Sequence, residues 1–177
     1  MSAQRAMDYA GYQGKYSIWW DYFNQDSQGL HPNTCCGQAA IFSALATQGK
    51  IPAGTSFKSF VRRFPPNNLF GSLGSSWQRI VEIIKANGSQ VEMRKGETEL
   101  RRMLRDGPVL VCTDVGAAGW GKWGLHWTTV FGYTSGFYFL SNWETNPWCT
   151  TEHFKAGWNS PLTAVATGSQ MWGFAPR

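Results

Sequence analysis

Two apolar runs in the second half of the chain constrain its fold most. Leu125–Tyr133 and Phe137–Asn142 are rich in β-branched and aromatic residues and are separated only by Thr134-Ser135-Gly136. A link that short, carrying a glycine, turns one strand back on the other, so the two runs pair antiparallel. Pro108–Thr113 reads as another strand and Gln90–Arg94 as a short one. The first half has a different period. Ala40, Ile41, Ala44 and Leu45 recur at helical spacing within a segment from about Cys36 to Gln48, and Gly49 is a plausible stop. Ser75 or Ser76 can cap a second helix running through Ala86, striped by Trp77, Ile80, Val81 and Ile84 and closed by Gly88. Glu97–Arg105 is a third, with Leu100, Met103 and Leu104 inward and Asp106-Gly107 closing it. Helices followed by a mostly antiparallel sheet make an α+β fold. Asn24–Thr34 and Phe64-Pro65-Pro66-Asn67-Asn68 are the breaks, and there is no internal repeat. A length of 177 residues suits one compact domain, so residues 1–177 are read as a single unit.

Composition narrows the function classes. Apolar residues make up 42% and charged residues 15%, which is too apolar for a disordered chain. Ten tryptophans supply surface for a core or a groove, and Ile18, Trp19, Trp20, Tyr22 and Phe23 are expected to pack on that core. The net charge of +5 is not gathered into a basic run; Arg62, Arg63, Arg101, Arg102 and Arg105 read as solvated, so no nucleic-acid partner is expected. No apolar run approaches the roughly 18 residues of a membrane span. Met1–Asp8 has no apolar core of a signal peptide, so the protein is expected to be cytoplasmic where it is made. The four cysteines do not form a disulfide framework: Cys35 and Cys36 are adjacent, Cys112 sits in an apolar strand as a small core residue, and Cys149 lies in an irregular stretch. This usage fits a reducing compartment or a thiol that must stay free.

One thiol is placed for chemistry. In Asn33-Thr34-Cys35-Cys36-Gly37-Gln38-Ala39-Ala40 a polar loop runs into the first helix. A cysteine there faces unpaired main-chain N–H groups and the positive end of the helix dipole, which is expected to lower its pKa from about 8.5. Gly37 lets a substrate approach, and the Cys36 N–H is a candidate oxyanion donor. An imidazole follows 90 residues later in Gly124-Leu125-His126-Trp127-Thr128-Thr129. If the turn pairs Gly132 with Tyr138, Val130 faces Leu140 and Thr128 faces Asn142, and His126 and Asn142 share a face. Asn142 could then hold the ring and fix its tautomer; Asp114 is the second candidate for that role. Nucleophile, base and orienting amide are the parts of an acyl-transfer site.

Cys36-Gly37-Gln38-Ala39-Ala40, then His126-Trp127-Thr128-Thr129-Val130-Phe131-Gly132-Tyr133, then Asn142 resemble the papain-like cysteine peptidases, most of all the bacterial branch that includes bacteriocin leader-processing peptidases. The run from Glu97 through Gly107-Pro108 into Val109-Leu110-Val111 is similar to that branch, and Trp143 resembles a shielding tryptophan beside the asparagine of papain. The likeness covers about Gln28 to Trp143. It implies a papain-like fold with the nucleophile-bearing helix against the sheet, a Cys36-His126-Asn142 triad, hydrolysis of a peptide bond through a thioester, and no cofactor. It also implies a glutamine before the nucleophile as oxyanion donor. Gln28 is the candidate, eight residues before Cys36, which requires His31 and Pro32 to loop out; Gln25 is the poorer choice. Papain's own Cys-Gly-x-Cys register would instead put Ala39 at the nucleophile, but Cys-Gly-x-Ala is common in the bacterial branch.

The expected partner is a protein or peptide substrate. Small size, basic charge and the missing signal suit a bacterial effector or toxin domain exported by a specialised secretion system, with a cognate immunity protein. Peptidoglycan amidase, deamidase or transglutaminase chemistry would use the same trio, and a catalytically silent binding module is the rival from another class. Cys149 and His153, with Cys35 or His31, do not have the spacing of a zinc site, so no metal is expected. Gly116–Gly124, with Trp120 and Trp123, reads as a mobile rim over the site rather than a phosphate loop.

Overall fold

The computed structural model describes residues 10–16, 35–67, 74–120, 124–141 and 148–177. The expected helices are present: α1 (Cys36–Thr47), α3 (Trp77–Ala86) and α4 (Glu97–Leu104). Ser76, rather than Ser75, caps α3, and Gly49 and Gly88 leave their helices at φ of 70° and 78°, where a side chain would be strained. Leu100, Met103 and Leu104 are all fully buried, as their spacing requires. One further helix of the first half, α2 (Phe57–Arg63), is capped by Ser56 and packs Phe57 and Phe60 edge-on against Phe42 of α1.

The strands are β1 (Val91–Lys95), β2 (Val109–Asp114), β3 (Leu125–Tyr133), β4 (Phe137–Leu140), β5 (Trp148–Thr150) and β6 (Trp172–Pro176), with α5 (Thr151–Trp158) and α6 (Thr163–Thr167) between the last two. They form one antiparallel sheet in the order β1-β6-β2-β3-β4-β5. Cys149, expected in an irregular stretch, is the middle of β5. The sheet is covered on both faces. Leu110, Cys112, Trp127 and Phe174 pack under α1, α2 and α3. Their strand neighbours Val109, Val111, Val130 and Ala175 pack under α4 and α5. Burial on both faces is why β2 reads as an unbroken apolar run and not as an alternating one.

The hairpin differs from the expected register at one point. Gly132 pairs with Phe139, not Tyr138, and Tyr133 takes Tyr138. A bulge between Val130 and Gly132 absorbs the slip, so Val130 faces Leu140 as expected. The slip lies where the N-terminal segment packs on β3: a Cβ on Gly132 would lie 2.4 Å from the Tyr12 ring and 2.6 Å from the Gln13 carbonyl, so only glycine fits there, and Gln13 bridges to Tyr133. The segment at residues 12–14 crosses the strand over that glycine. Ile18, Trp19, Trp20, Tyr22 and Phe23 lie outside the described residues.

Candidate active site

Cys36 opens α1 and is 4% exposed. Two ties fix the first turn of this helix to β3. The Thr129 hydroxyl donates to the Ala40 carbonyl at 2.7 Å. The main chain of Trp127, the residue bonded to His126, donates to the Cys36 sulfur. Strand geometry says where that happens. The Thr129 carbonyl accepts from Ser141 N at 2.8 Å, so the main-chain groups of Thr129, and of Trp127 two residues before it, point toward the β4 side of the strand. At Trp127 the last β4 pair, Val130–Leu140, has already been passed, and the sulfur takes the donor. Trp127 and Thr129 turn their side chains to the α1 face; His126 alternates with Trp127 and leaves the strand on the other side. His126 is half-buried and pairs across the sheet with Thr113. Asn142, Gln28, Gln25, His31, Trp123 and Trp143 lie outside the described residues.

The thiol is not lowered as its place at a helix start led us to expect. Burial pushes the Cys36 pKa up, and the N–H groups of Trp127, Gly37 and Cys36 itself offset this only in part, while the neighbouring Cys35 adds to the rise. Desolvation of a fully enclosed sulfur outweighs three main-chain dipoles. Cys112, facing Trp127 across the sheet, is pushed well up by burial and by the nearby Cys36. Burial takes Cys149 to about 12, against the Trp120 indole that donates to it. All three thiols favour the neutral form in the fold, whereas in the unfolded chain they ionise from about pH 8.5. Their contribution to stability is therefore complete below that pH and declines as pH rises through the raised values. Urea unfolding at pH 7 and pH 10 is expected to give a clearly lower midpoint at pH 10; equal midpoints would contradict this burial.

Asp114, the second candidate for orienting the imidazole, is engaged elsewhere. Its Oδ1 accepts from Gly116 N and Ala117 N at 3.0 and 3.3 Å, and its Oδ2 accepts from the Ser160 hydroxyl at 2.7 Å. These bonds belong to a docked loop. The first part of the expected mobile rim, residues 116–120, is seated on α5: the His153 ring lies 3.8–3.9 Å from a Cβ built on Gly119, and the Trp120 indole bonds Cys149. Gly157 makes the seat, since a Cβ there would stand 2.8 Å from Ala118 Cβ and 2.9 Å from the Asp114 carbonyl. Gly157→Ala is expected to cost about 1 kcal/mol net, overpacking exceeding the gain in helix propensity. Gly136→Ala, at a position with nothing within 4 Å, is the control, and equal thermal midpoints for the two would refute the seat.

Three contributors were missed in the sequence. Gln38 and Ser75 are fully buried and bond each other, and the Trp127 indole donates to the Ser75 carbonyl at 2.8 Å. The only signal was a doubled serine where one cap was needed. Among the described residues no group of three histidine, cysteine, aspartate or glutamate side chains is arranged to hold a metal. No described helix is long and apolar enough to cross a membrane.

No protein-family model matches the chain, and no curated protein sequence matches it. Solved structures do. A double glycine motif protease from an AMS/PCAT transporter, in complex with its leader peptide, is 12% identical, with a TM-score of 0.53 over 80% of this chain and 82% of the other. A C39-like peptidase from Bacillus anthracis is 15% identical, with a TM-score of 0.56 over 80% and 88%. The peptidase domain of Streptococcus ComA, a bifunctional ABC transporter of a quorum-sensing pathway, is 19% identical, with a TM-score of 0.54 over 80% and 91%. At these identities the likeness is one of fold. The resemblance first seen around Cys36 and His126 is thus borne out in architecture: this chain has the papain-like, α+β fold of the C39-type and double-glycine peptidases.

Proposed function

We propose that this protein is a cysteine peptidase that cleaves a peptide substrate, with Cys36 as nucleophile and His126 as general base. The observation that carries the reading is the bond from the Trp127 main chain to the Cys36 sulfur, which brings the head of α1 to within one residue of His126 in a fold shared with peptidases. In this reading the thiol and the imidazole meet along the edge of β3 beyond Leu140, approaching from opposite faces. His126 takes the thiol proton, and the thiolate attacks the scissile carbonyl. The Cys36 N–H, with Gln28, holds the oxyanion. His126 returns the proton to the leaving amine, and water resolves the thioester. Asn142 orients the ring. The role of Gln28 rests on the sequence resemblance, and that of Asn142 on the resemblance and on the strand pairing read from the sequence, which puts it on the His126 face.

The raised Cys36 pKa gives the base a defined task. The buried sulfur stays protonated unless an imidazole beside it takes the proton, so reactivity depends on His126. The leader-peptide complex of one structural neighbour makes a peptide with a small-residue cleavage site the first substrate to test. The experiment is mass spectrometry of double-glycine leader peptides and of lysate proteins, incubated with the wild type and with Cys36→Ala. Cuts that appear only with the wild type support peptidase activity. Deamidated glutamines, cross-links or peptidoglycan fragments would move the chemistry to another acyl transfer, and no Cys36-dependent change would overturn it. Export as a bacterial effector or toxin with a cognate immunity protein is part of the proposal, and pulldown of an inhibitor from the source cell tests it.

A further inference from the structure

We infer that Gln38, Ser75 and the indole of Trp127 are positioning residues that hold the Cys36 sulfur in its reactive place. This rests on the proposed role of Cys36 as nucleophile.

The contacts form a closed circuit through three elements. From α1, the Gln38 amide donates to the Ser75 hydroxyl at 3.0 Å, and that hydroxyl returns toward Gln38 Oε1 at 3.4 Å. From β3, the Trp127 indole donates to the Ser75 carbonyl at 2.8 Å. The Trp127 main chain then donates to Cys36, two residues before Gln38. The circuit is tightly set. A Cβ on Gly37 would lie 2.9 Å from Ile80 Cδ1 and 3.2 Å from Ser75 Cβ, so α3 seats directly against the turn that carries the sulfur. On the other side, Asn67 fixes Ser76 through Oδ1 to the main-chain N and Nδ2 to the hydroxyl, both at 3.0 Å. Ser75 has little freedom, and it passes that rigidity to both Gln38 and Trp127.

Gln38 and Ser75 are 0% exposed and Trp127 1%, so none of the three touches substrate; they act through Cys36. A buried amide facing a buried hydroxyl also needs mutual satisfaction for stability alone, because a lone polar group in a core costs about 1–3 kcal/mol. The two roles separate experimentally. Removing one partner leaves the other unsatisfied, whereas removing both with apolar residues of similar shape is nearly neutral for folding.

The test uses the full chain as wild type, Ser75→Ala, the double variant Gln38→Leu/Ser75→Ala, and Trp127→Phe. The readouts are thermal midpoint and the pH profile of iodoacetamide alkylation at Cys36, assigned by peptide mass spectrometry. Ser75→Ala is expected to lose both stability and alkylation rate. The double variant is expected to regain most of the stability yet to alkylate Cys36 at least about tenfold more slowly at neutral pH, with its profile displaced to higher pH. Trp127→Phe, which keeps the main-chain donor and loses the indole N–H together with part of the buried ring, is expected to lose stability and to be slowed in the same sense, and its pH profile, read on the folded protein, provides the test should the double variant not fold. Recovery of the wild-type profile together with stability, or a wild-type profile in Trp127→Phe, overturns the inference while leaving the nucleophile in place. A wild-type Cys36 no more reactive than Cys112 overturns the nucleophile itself.

Discussion

Cys36→Ala is expected to abolish peptide cleavage, lowering the rate by at least about 10⁴-fold, the scale of loss when a covalent nucleophile is removed. No neighbouring group replaces it. Cys35 is the helix cap and is itself buried, and Cys112 is held neutral by burial beside Cys36. The fold is expected to survive. The substitution removes one sulfur from an enclosed site while the Thr129–Ala40 bond continues to dock α1 on β3. The measurement is turnover of a cleavable peptide by wild type and variant, matched by circular dichroism. Retained turnover in a folded Cys36→Ala protein would remove Cys36 from the mechanism. An additional signature follows from the thiol's raised pKa: with the sulfur gone, part of the alkaline loss of stability should also disappear.

The largest expected effect on stability lies far from Cys36 in sequence. A chain ending at Met171 is expected not to fold, because it lacks β6, which lies between β1 and β2 and pairs with both. Without it, β1 has no pairing in the sheet and β2 loses one side of its ladder. The single-residue version is Phe174→Ala. Phe174 is fully buried, with its ring edge-on to Trp127 at 5.6 Å and tilted over Trp172 at 6.5 Å. Deleting such a ring costs about 3–5 kcal/mol, a large part of the 5–15 kcal/mol available to a domain. Urea unfolding checks both. A cooperative transition in the truncated chain, or a loss under about 1 kcal/mol for Phe174→Ala, would contradict this account.

Much of this was legible in the sequence where the signal is local. The bounds of β3 followed from its β-branched and aromatic residues and the turn after it, α1 and the inward face of α4 from helical spacing, and the start of α3 from capping chemistry. The register slip at Gly132 was not legible, and neither was the packing of Tyr12 against that glycine, because the two lie 120 positions apart in the chain. Nor was β6. Trp172–Pro176 is five residues ending in proline, and only its insertion between two distant strands makes it a strand. Cys36 and His126 stood out by residue type and setting. Gln38 and Ser75 did not, since a buried amide and hydroxyl look like surface residues until the partner that satisfies them is known. The direction of the Cys36 pKa was misread for the same reason: the helix start is visible in sequence, and the enclosure that outweighs it is not.

The position of β6 also orders events in time. Residues 172–177 are synthesised after every element they join, and Val91 must wait for Pro176 before the two edges of the gap are bridged. Closure over so long a stretch of chain is a slow, late step. During translation α1 can form, but the platform that aligns it is unfinished, so on the proposed function a growing chain would carry its thiol without the means to use it, and cutting power would arrive only once the polypeptide has been made through β6.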